Sequence, residues 1–172
     1  MEKIHASMMG ASISSNSQDA FSLYTKSNFG EILGEKIQYS FPEALFLAEK
    51  GKIVVFHGKK ALSSRELMKK AYSSDKRIGI KYPVFKSLRE KGYVVKTALK
   101  FGADFRVYEK GHKPGEKHAK WIVFADHESA RFGWHEFSAK NRVAHSTKKN
   151  LLLAIVDEEG DVSYYECRWL RP

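Results

Sequence analysis

Apolar positions divide the chain into two regions with different periodicities. Between about positions 42 and 91, predicted helices flank a short apolar run, whereas from Tyr93 onward apolar residues form short runs of the kind found in strands. The first 30 or so residues carry a weaker pattern, which is compatible with short strands. The pattern therefore predicts an N-terminal α+β region followed by a region with more strand.

Two capping signals predict where helices begin in the first region. Ser40-Phe41-Pro42-Glu43 combines a capping serine, a proline suited to a first turn and the glutamate of a capping box. This helix is expected to cover 43–50 and to stop at Gly51. Ser63-Ser64-Arg65-Glu66 repeats the signal and predicts a helix to about Tyr72.

The remaining elements follow from the same rules. A strand is expected at 53–56, an interdomain connector at the polar stretch 73–80, and a helix at 82–91 that stops at Gly92. Another helix is expected near 136–148. The predicted strands of the second region are 93–99, 104–108, 120–125, 151–157 and 162–169. The fold class is α+β, with a small N-terminal α/β domain (1–80) before a C-terminal mixed-sheet α/β domain (81–172).

Composition narrows the class of protein. Hydrophobic residues make up 42% of the chain and aromatic residues 13%, which is enough for a core. Lysine and arginine number 30 against 20 acidic residues, and the net charge of +10 favours a nucleic-acid partner or simply a basic surface. The single cysteine, Cys167, excludes an internal disulfide and a cysteine-rich zinc site. With no apolar run of about 20 residues, we expect a cytoplasmic protein without a membrane segment.

Candidate chemistry clusters around the second predicted strand of the C-terminal region. Alternation places Tyr108 at the end of this strand on the same face as Asp104 and Arg106. A charged loop, 109–117, follows, and His118 is expected to open the next strand. A strand-end tyrosine and a strand-opening histidine can lie close together and frame a cleft.

These blocks resemble the archaeal tRNA-splicing (tRNA-intron) endonuclease family, from about Asn28 onward. The glycine, aspartate and tyrosine of Phe-Gly-x-Asp-Phe-x-Val-Tyr, a histidine ten residues later and a late Arg…Lys block together make the resemblance specific. The matching stretches are Glu43–Leu47, Gly92–Lys96, Lys100–Tyr108, His118–Ala119, Arg142–Lys149 and Leu151–Asp157.

The resemblance implies a nuclease that uses neither a metal nor a cofactor. Tyr108 would be the general base, His118 the general acid, and Lys149 the cation that stabilises the transition state. Precursor tRNA would be cut at both exon–intron junctions of a bulge–helix–bulge, leaving 2′,3′-cyclic phosphate and 5′-hydroxyl ends. Thr147-Lys148 departs from the family's Val-Arg dipeptide, so Lys148 stays an alternative to Lys149.

Elementary chemistry agrees with such a trio. The substrate's own 2′-hydroxyl is tethered beside the phosphorus, and alignment of such a nucleophile can supply about 7–11 kcal/mol. Histidine, whose unperturbed pKa is about 6.5, suits proton donation near neutrality. Tyrosine needs a nearby cation to act as a base. Tyr108 could instead only orient the 2′-hydroxyl.

By the same resemblance, Arg142 would be one half of an arginine pair that grips a flipped-out base. Its partner would be Arg168, with Arg171 as the fallback, although both could be ordinary surface arginines. Arg142 is expected to share a helix face with Lys149. His145, four residues before Lys149, is expected to pack within that helix, with a place near the site as the alternative.

The acidic segment between the last two predicted strands carries the expected assembly contact. It could be only a charged hairpin turn, but in the resembled family such a loop inserts into a basic cleft of another subunit. The terminal strand 162–169 would pair with its copy. The resemblance therefore implies a tetramer, and the sequence does not distinguish a homotetramer from a heterotetramer. The acidic side chains are Asp157, Glu158, Glu159 and Asp161.

Two other functions compete with the enzyme. A non-catalytic structural or RNA-binding subunit of the same assembly is the first, although such a subunit would be expected to lack one of the trio. An unrelated basic nucleic-acid-binding domain is the second. A magnesium-dependent nuclease is disfavoured because Asp104, Glu116 and Asp126 do not form its acid-x-lysine element.

Overall fold

The computed structural model describes residues 3–172 of the chain and contains two compact units. One unit ends at Gly79 and the other covers Ile80–Pro172. Each unit is built on its own β-sheet, and the two sheets contain different strands. The α+β fold class predicted from the sequence is confirmed.

The first unit has a six-stranded sheet with the strand order β3-β4-β2-β1-β5-β6. Only the β1–β5 pair is parallel, and its neighbours pair antiparallel. Three helices accompany the sheet: α1 (Gln18–Ser27), α2 (Phe41–Glu49) and α3 (Ser64–Ser74). The strands are β1 (Ile4–Met9), β2 (Ser12–Ser15), β3 (Glu31–Leu33), β4 (Lys36–Tyr39), β5 (Ile53–His57) and β6 (Lys60–Ala61).

Both predicted capping boxes are present. At the start of α2 the buried Glu43 carboxylate accepts hydrogen bonds from the backbone N–H groups of Ser40, at 2.9 Å, and Gly30, at 2.8 Å. At the start of α3 the Glu66 carboxylate accepts from the Ser63 N–H, while the Ser63 hydroxyl accepts from the Glu66 N–H. The bonds from the N–H groups of Ser40, Ser63 and Glu66 satisfy backbone donors that a helix start leaves unpaired.

Two features of the first 80 residues differ from the sequence prediction. The helix α1 was not predicted; it is capped by the Ser17 side chain and closed by Asn28 in the left-handed conformation. The predicted connector 73–80 contains the division between the two units but is largely helical, because α3 continues to Ser74 and the next helix begins at Ile78. The side chain of Ile78 is buried and lies at the start of this helix. The polar residues around it make the sequence look like a connector.

The second unit has a five-stranded sheet with the strand order β11-β10-β9-β8-β7. The β9–β10 pair is parallel and the other pairs are antiparallel. Its helices are α4 (Ile78–Glu90), whose first two residues fall in the first unit, and α5 (Trp134–Ser146), with a short 3-10 helix at Leu99–Phe101. The strands are β7 (Val94–Ala98), β8 (Ala103–Tyr108), β9 (Trp121–His127), β10 (Asn150–Val156) and β11 (Val162–Cys167).

A helix covers each face of this second sheet. On one face Ala144 of α5 packs with Ala98, Ala103, Ile122 and Leu151. On the other face Phe85 of α4 meets Phe105 of β8, with ring centroids 5.9 Å apart. Leu151 and Ile122 are fully buried, so the neighbouring strand ends are held to a rigid core.

Two predicted boundaries near the candidate site are wrong. Helix α5 ends at Ser146, and Lys148 takes a left-handed backbone with φ of 55°, so Lys149 lies outside the helix and cannot share its face with Arg142. Strand β9 begins at Trp121, which leaves His118 in the preceding loop.

Among residues 3–172, none of the helices has the length and apolarity that crossing a bilayer demands.

Candidate active site at one edge of the second sheet

Three neighbouring strands of the second sheet bring the predicted trio to one edge. Tyr108 is the last residue of β8, His118 lies in the loop that leads to β9, and Lys149 directly precedes β10. Because β8 runs antiparallel to β9 and β9 runs parallel to β10, the end of β8 and the starts of β9 and β10 share this edge. The sheet topology therefore gathers residues that are far apart in the chain.

Backbone hydrogen bonds hold this edge together. The N–H of Lys120 donates to the Val107 carbonyl at 2.9 Å, next to Tyr108. The N–H of Asn150, next to Lys149, donates to the Lys120 carbonyl at 2.9 Å. Lys120 thus links the strand that ends at Tyr108 to the strand that follows Lys149.

Strand alternation puts Tyr108 and Lys149 on the α5 face of the sheet. Arg106 pairs with Ile122, which belongs to the α5-side core, and Tyr108 is two positions along the same strand. Leu151 also belongs to that core, and Lys149 precedes it by two positions. Tyr108 is 4% exposed, so its ring is fixed by packing.

The side chain of Lys149 has well-defined neighbours. Its Nζ donates to the Thr147 carbonyl at 2.8 Å and lies 5.5 Å from the centroid of the Phe101 ring. Partial burial, followed by the positive charge of Arg106, lowers the pKa of the Lys149 amine. Lys148 is exposed and occupies the left-handed turn, so the two lysines differ in surroundings as well as in position.

His118 is exposed at the end of a loop with ordered charge pairs. Glu109 forms an ion pair with Lys120 across the base of the loop, and this contact lowers the pKa of the Glu109 carboxyl. Lys113 and Glu116 pair within the loop at 3.0 Å. The exposed imidazole therefore borders a charged loop beside the strand edge.

The predicted RNA-binding arginines lie on α5 and on the segment after β11. Arg142 is exposed on α5, and Arg168 bonds to the Glu166 carboxylate. The ring of Trp169 meets the ring of His145 at 4.4 Å, and Arg171 lies 5.7 Å from the Trp169 ring. His145 is therefore an exposed contact of the C-terminal segment, and its expected packing within the helix is wrong.

The acidic segment forms the turn between β10 and β11. Asp157 Oδ1 accepts from the N–H groups of Glu159 and Asp161, at 3.0 and 2.8 Å. The side chain of Glu158 is 82% exposed. Asp157 therefore shapes the turn, while the acidic group of Glu158 faces solvent.

Sequence reasoning missed two groups at this edge. Phe101 contacts the Lys149 amine, and Glu166 bonds to Trp121, Asn150 and Arg168. Neither shows a spacing signal, since both contacts depend on strand pairing. Within residues 3–172, no set of three or more His, Cys, Asp or Glu side chains could hold a metal ion.

Comparisons with known proteins match both units. The model for the tRNA intron endonuclease N-terminal domain matches residues 9–68, and the model for the tRNA intron endonuclease catalytic C-terminal domain matches residues 78–164. A tRNA-splicing endonuclease of Thermococcus onnurineus is 43% identical over 149 residues, covering 87% of this chain and 85% of the relative.

Two further relatives carry the same name. A tRNA-splicing endonuclease of Thermococcus gammatolerans is 41% identical over 165 residues, covering 95% of this chain and 96% of its own length. One from Nanoarchaeum equitans is 43% identical over 136 residues, covering 76% of this chain and 87% of its own. In each of these relatives the similarity therefore extends over at least 76% of this chain and 85% of the relative.

Proposed function

The chain belongs to the tRNA intron endonuclease family, and from this premise we propose that it is a catalytic subunit that excises introns from precursor tRNA. It cuts both exon–intron junctions within a bulge–helix–bulge. The products carry 2′,3′-cyclic phosphate and 5′-hydroxyl ends. The observation that carries the proposal is the shared edge of Tyr108, His118 and Lys149 in the second sheet.

The reaction begins at the 2′-hydroxyl next to the scissile phosphate. Tyr108 accepts the 2′-hydroxyl proton, and the freed oxygen attacks phosphorus to close the cyclic phosphate. A tyrosine accepts a proton only as its phenolate, which the cations on the same face favour. Arg106 and Lys149 supply those cations, since both lie on the α5 face with Tyr108.

The bond from phosphorus to the 5′-oxygen breaks as the new bond forms. His118 donates a proton to this leaving oxygen, which becomes the 5′-hydroxyl of the downstream product. A positioned acid of this kind contributes about 10²–10⁴-fold to the rate. The exposed position of His118 beside a charged loop suits contact with an RNA strand.

Lys149 stabilises charge that builds on the non-bridging phosphate oxygens. Its amine is half-buried beside the strand edge, where a cation acts more strongly than in open water. Lys149 is preferred to Lys148 because the latter lies exposed in the turn. Arg142 and Arg168 grip a flipped-out bulge base through stacking and phosphate contacts.

A tetramer, homomeric or heteromeric, matches the two cleavage sites of one bulge–helix–bulge. The exposed acidic turn of Asp157 to Asp161 docks on a basic surface of another subunit, and β11 pairs with its copy. Two-fold symmetry of this assembly presents one active site to each junction.

Cleavage of a bulge–helix–bulge precursor in the presence of a chelator tests this proposal. The same RNA with its bulges closed into a continuous duplex is the control substrate. We expect two cuts, one at each bulge of the first RNA, and none in the control. Loss of cutting on addition of chelator, or equal cutting of both RNAs, would contradict the proposal.

A further inference from the structure

A single carboxylate joins three strands at the edge that carries the trio. Glu166 Oε2 accepts from the Trp121 indole Nε1 at 2.6 Å, and Oε1 accepts from the Asn150 amide Nδ2 at 3.3 Å. Oε1 also accepts from Arg168 Nε at 2.5 Å. One side chain therefore contacts the start of β9, the start of β10 and the segment after β11.

Strand pairing explains how one carboxylate reaches so far. Glu166 pairs with Leu152 of β10, and Trp121 of β9 pairs with Asn150. Asn150 and Leu152 point to the same face, so Glu166 reaches across β10 to meet the indole. The carboxylate is thus anchored by two groups of the sheet itself.

Arg168 is more exposed than Glu166 and lies outside the strand. It follows the last residue of β11, so the strand ladder no longer holds it, and its side chain is 66% exposed against 26% for Glu166. The hydrogen bond from Trp121, followed by contact with Arg168, lowers the pKa of the Glu166 carboxyl. Glu166 is therefore an anion held by two groups of the sheet, and Arg168 is an exposed cation bonded to it.

We propose that Glu166 is the positioning residue of Arg168, holding the guanidinium beside the strand ends that carry the trio, on the sheet face opposite α5, so that it meets the RNA base with little ordering left to do. This inference rests on the proposed function, in which Arg168 grips a bulge base. The bond to the carboxylate is made by Nε, and the Arg168 side chain is 66% exposed, so an RNA base can reach the guanidinium plane. Preorganisation of this kind strengthens binding by reducing the entropy lost on association.

A double-mutant cycle separates this role from a purely structural one. Four variants of the whole chain are compared by their affinity for one RNA. This RNA is a bulge–helix–bulge with 2′-deoxy residues at both cleavage sites. The four proteins are the wild type, Glu166→Ala, Arg168→Ala and the double variant. Thermal unfolding of each is followed in parallel, and Glu136→Ala, which removes the Glu136–Lys140 ion pair on α5, serves as the matched control.

We expect Glu166→Ala and Arg168→Ala each to weaken RNA binding about tenfold, as for loss of one charged hydrogen bond. The double variant should bind like Arg168→Ala alone, because Glu166 acts through Arg168. Glu166→Gln keeps an acceptor for Trp121 and should lose about threefold. Glu136→Ala should bind like the wild type.

Three results would overturn the inference. If the loss of RNA affinity in the double variant equals the product of the two single losses, Glu166 acts independently of Arg168. Wild-type affinity in both Glu166 variants would show that it has no role in binding. If Glu166→Ala unfolds, the cycle is repeated with Glu166→Gln, where losses that multiply in the same way would also overturn it. Cleavage by the wild type is recorded separately with the all-ribose RNA, so failure of the proposed function is recognised by its own readout.

Discussion

The amine of Lys149 lies 5.5 Å from the centroid of the Phe101 ring, although the two residues belong to different parts of the second unit. Phe101 closes the 3-10 helix before β8 and packs against the core beneath α5. A cation over an aromatic face is held by the ring's electron distribution. The ring and the Thr147 carbonyl together define where the Lys149 charge sits.

Replacing Phe101 with leucine should therefore disturb Lys149 while preserving apolar volume. We expect the rate of the chemical step to fall about threefold to tenfold, matching about 0.5–1.5 kcal/mol for a partly exposed cation–π contact. Single-turnover cleavage at saturating enzyme measures this rate. Phe101→Tyr retains the ring face and should cut nearly as fast as the wild type. Equal rates for the leucine variant and the wild type would contradict the role of the ring.

The lowered pKa of Lys149 predicts how activity falls at alkaline pH. Partial burial and then the charge of Arg106 lower this pKa, so the amine loses its proton at lower pH than an ordinary lysine does. Removing the Arg106 charge raises the pKa of Lys149 again. On an RNA with sulfur at the 5′-bridging position, whose cleavage needs no proton from His118, the alkaline limb of the pH–rate profile should then move to higher pH in Arg106→Gln.

The matched control for that shift is Arg131→Gln, because Arg131 is exposed in the loop before α5. Its alkaline limb should coincide with that of the wild type. An unmoved limb in Arg106→Gln, or one that moves to lower pH, would contradict the electrostatic coupling between Arg106 and Lys149.

How much of this could be predicted from sequence depended on how local each signal is. The capping boxes at Glu43 and Glu66 were predicted correctly because a three-residue spacing carries them. Helix α1 was missed because its capping residue, Ser17, is followed three positions later by Ala20, so the glutamate that completes a capping box is absent there. Local chemistry therefore predicts helix starts well only where both halves of the signal are present.

At the edge of the second sheet, in contrast, local sequence signals do not predict which residues come together. Tyr108, His118 and Lys149 were singled out through family blocks, but their shared edge depends on the parallel pairing of β9 with β10, which no local pattern encodes. The contacts of Phe101 and Glu166 depend on the same pairing. Their catalytic roles stay predictions that the experiments on each residue address.

Glu43 should be among the most important polar residues for the stability of the first unit. Its buried carboxylate accepts from the N–H groups of Gly30 and Ser40, and alanine would leave both donors without this acceptor. We expect Glu43→Ala to lower the free energy of unfolding by about 3 kcal/mol. Denaturant titration measures the change, and Glu35→Ala, at an exposed turn, should stay within about 0.5 kcal/mol of the wild type. A loss below about 1 kcal/mol for Glu43→Ala would contradict this account.

Charge reversal in the acidic turn should disrupt the proposed tetramer. Glu158→Lys with Glu159→Lys leaves Asp157, which shapes the turn, in place while inverting the exposed charge. The reversed turn should repel a basic docking surface, so the molar mass measured by light scattering should fall. Glu35→Lys with Glu49→Lys makes the same charge change at exposed sites of the first unit and should leave the mass unchanged. An unchanged mass in the first variant would exclude the turn as the assembly contact.

The most direct test of the acid–base centre compares two leaving groups in one enzyme variant. An RNA in which sulfur replaces the 5′-bridging oxygen at the scissile phosphate releases a thiolate, which needs no proton from an acid. Relative to the wild type, His118→Ala should cut the oxygen substrate about 10²–10⁴-fold more slowly and the sulfur substrate at nearly the wild-type rate. Equal impairment of His118→Ala on both substrates would contradict His118 as the general acid, and with it the proposed trio.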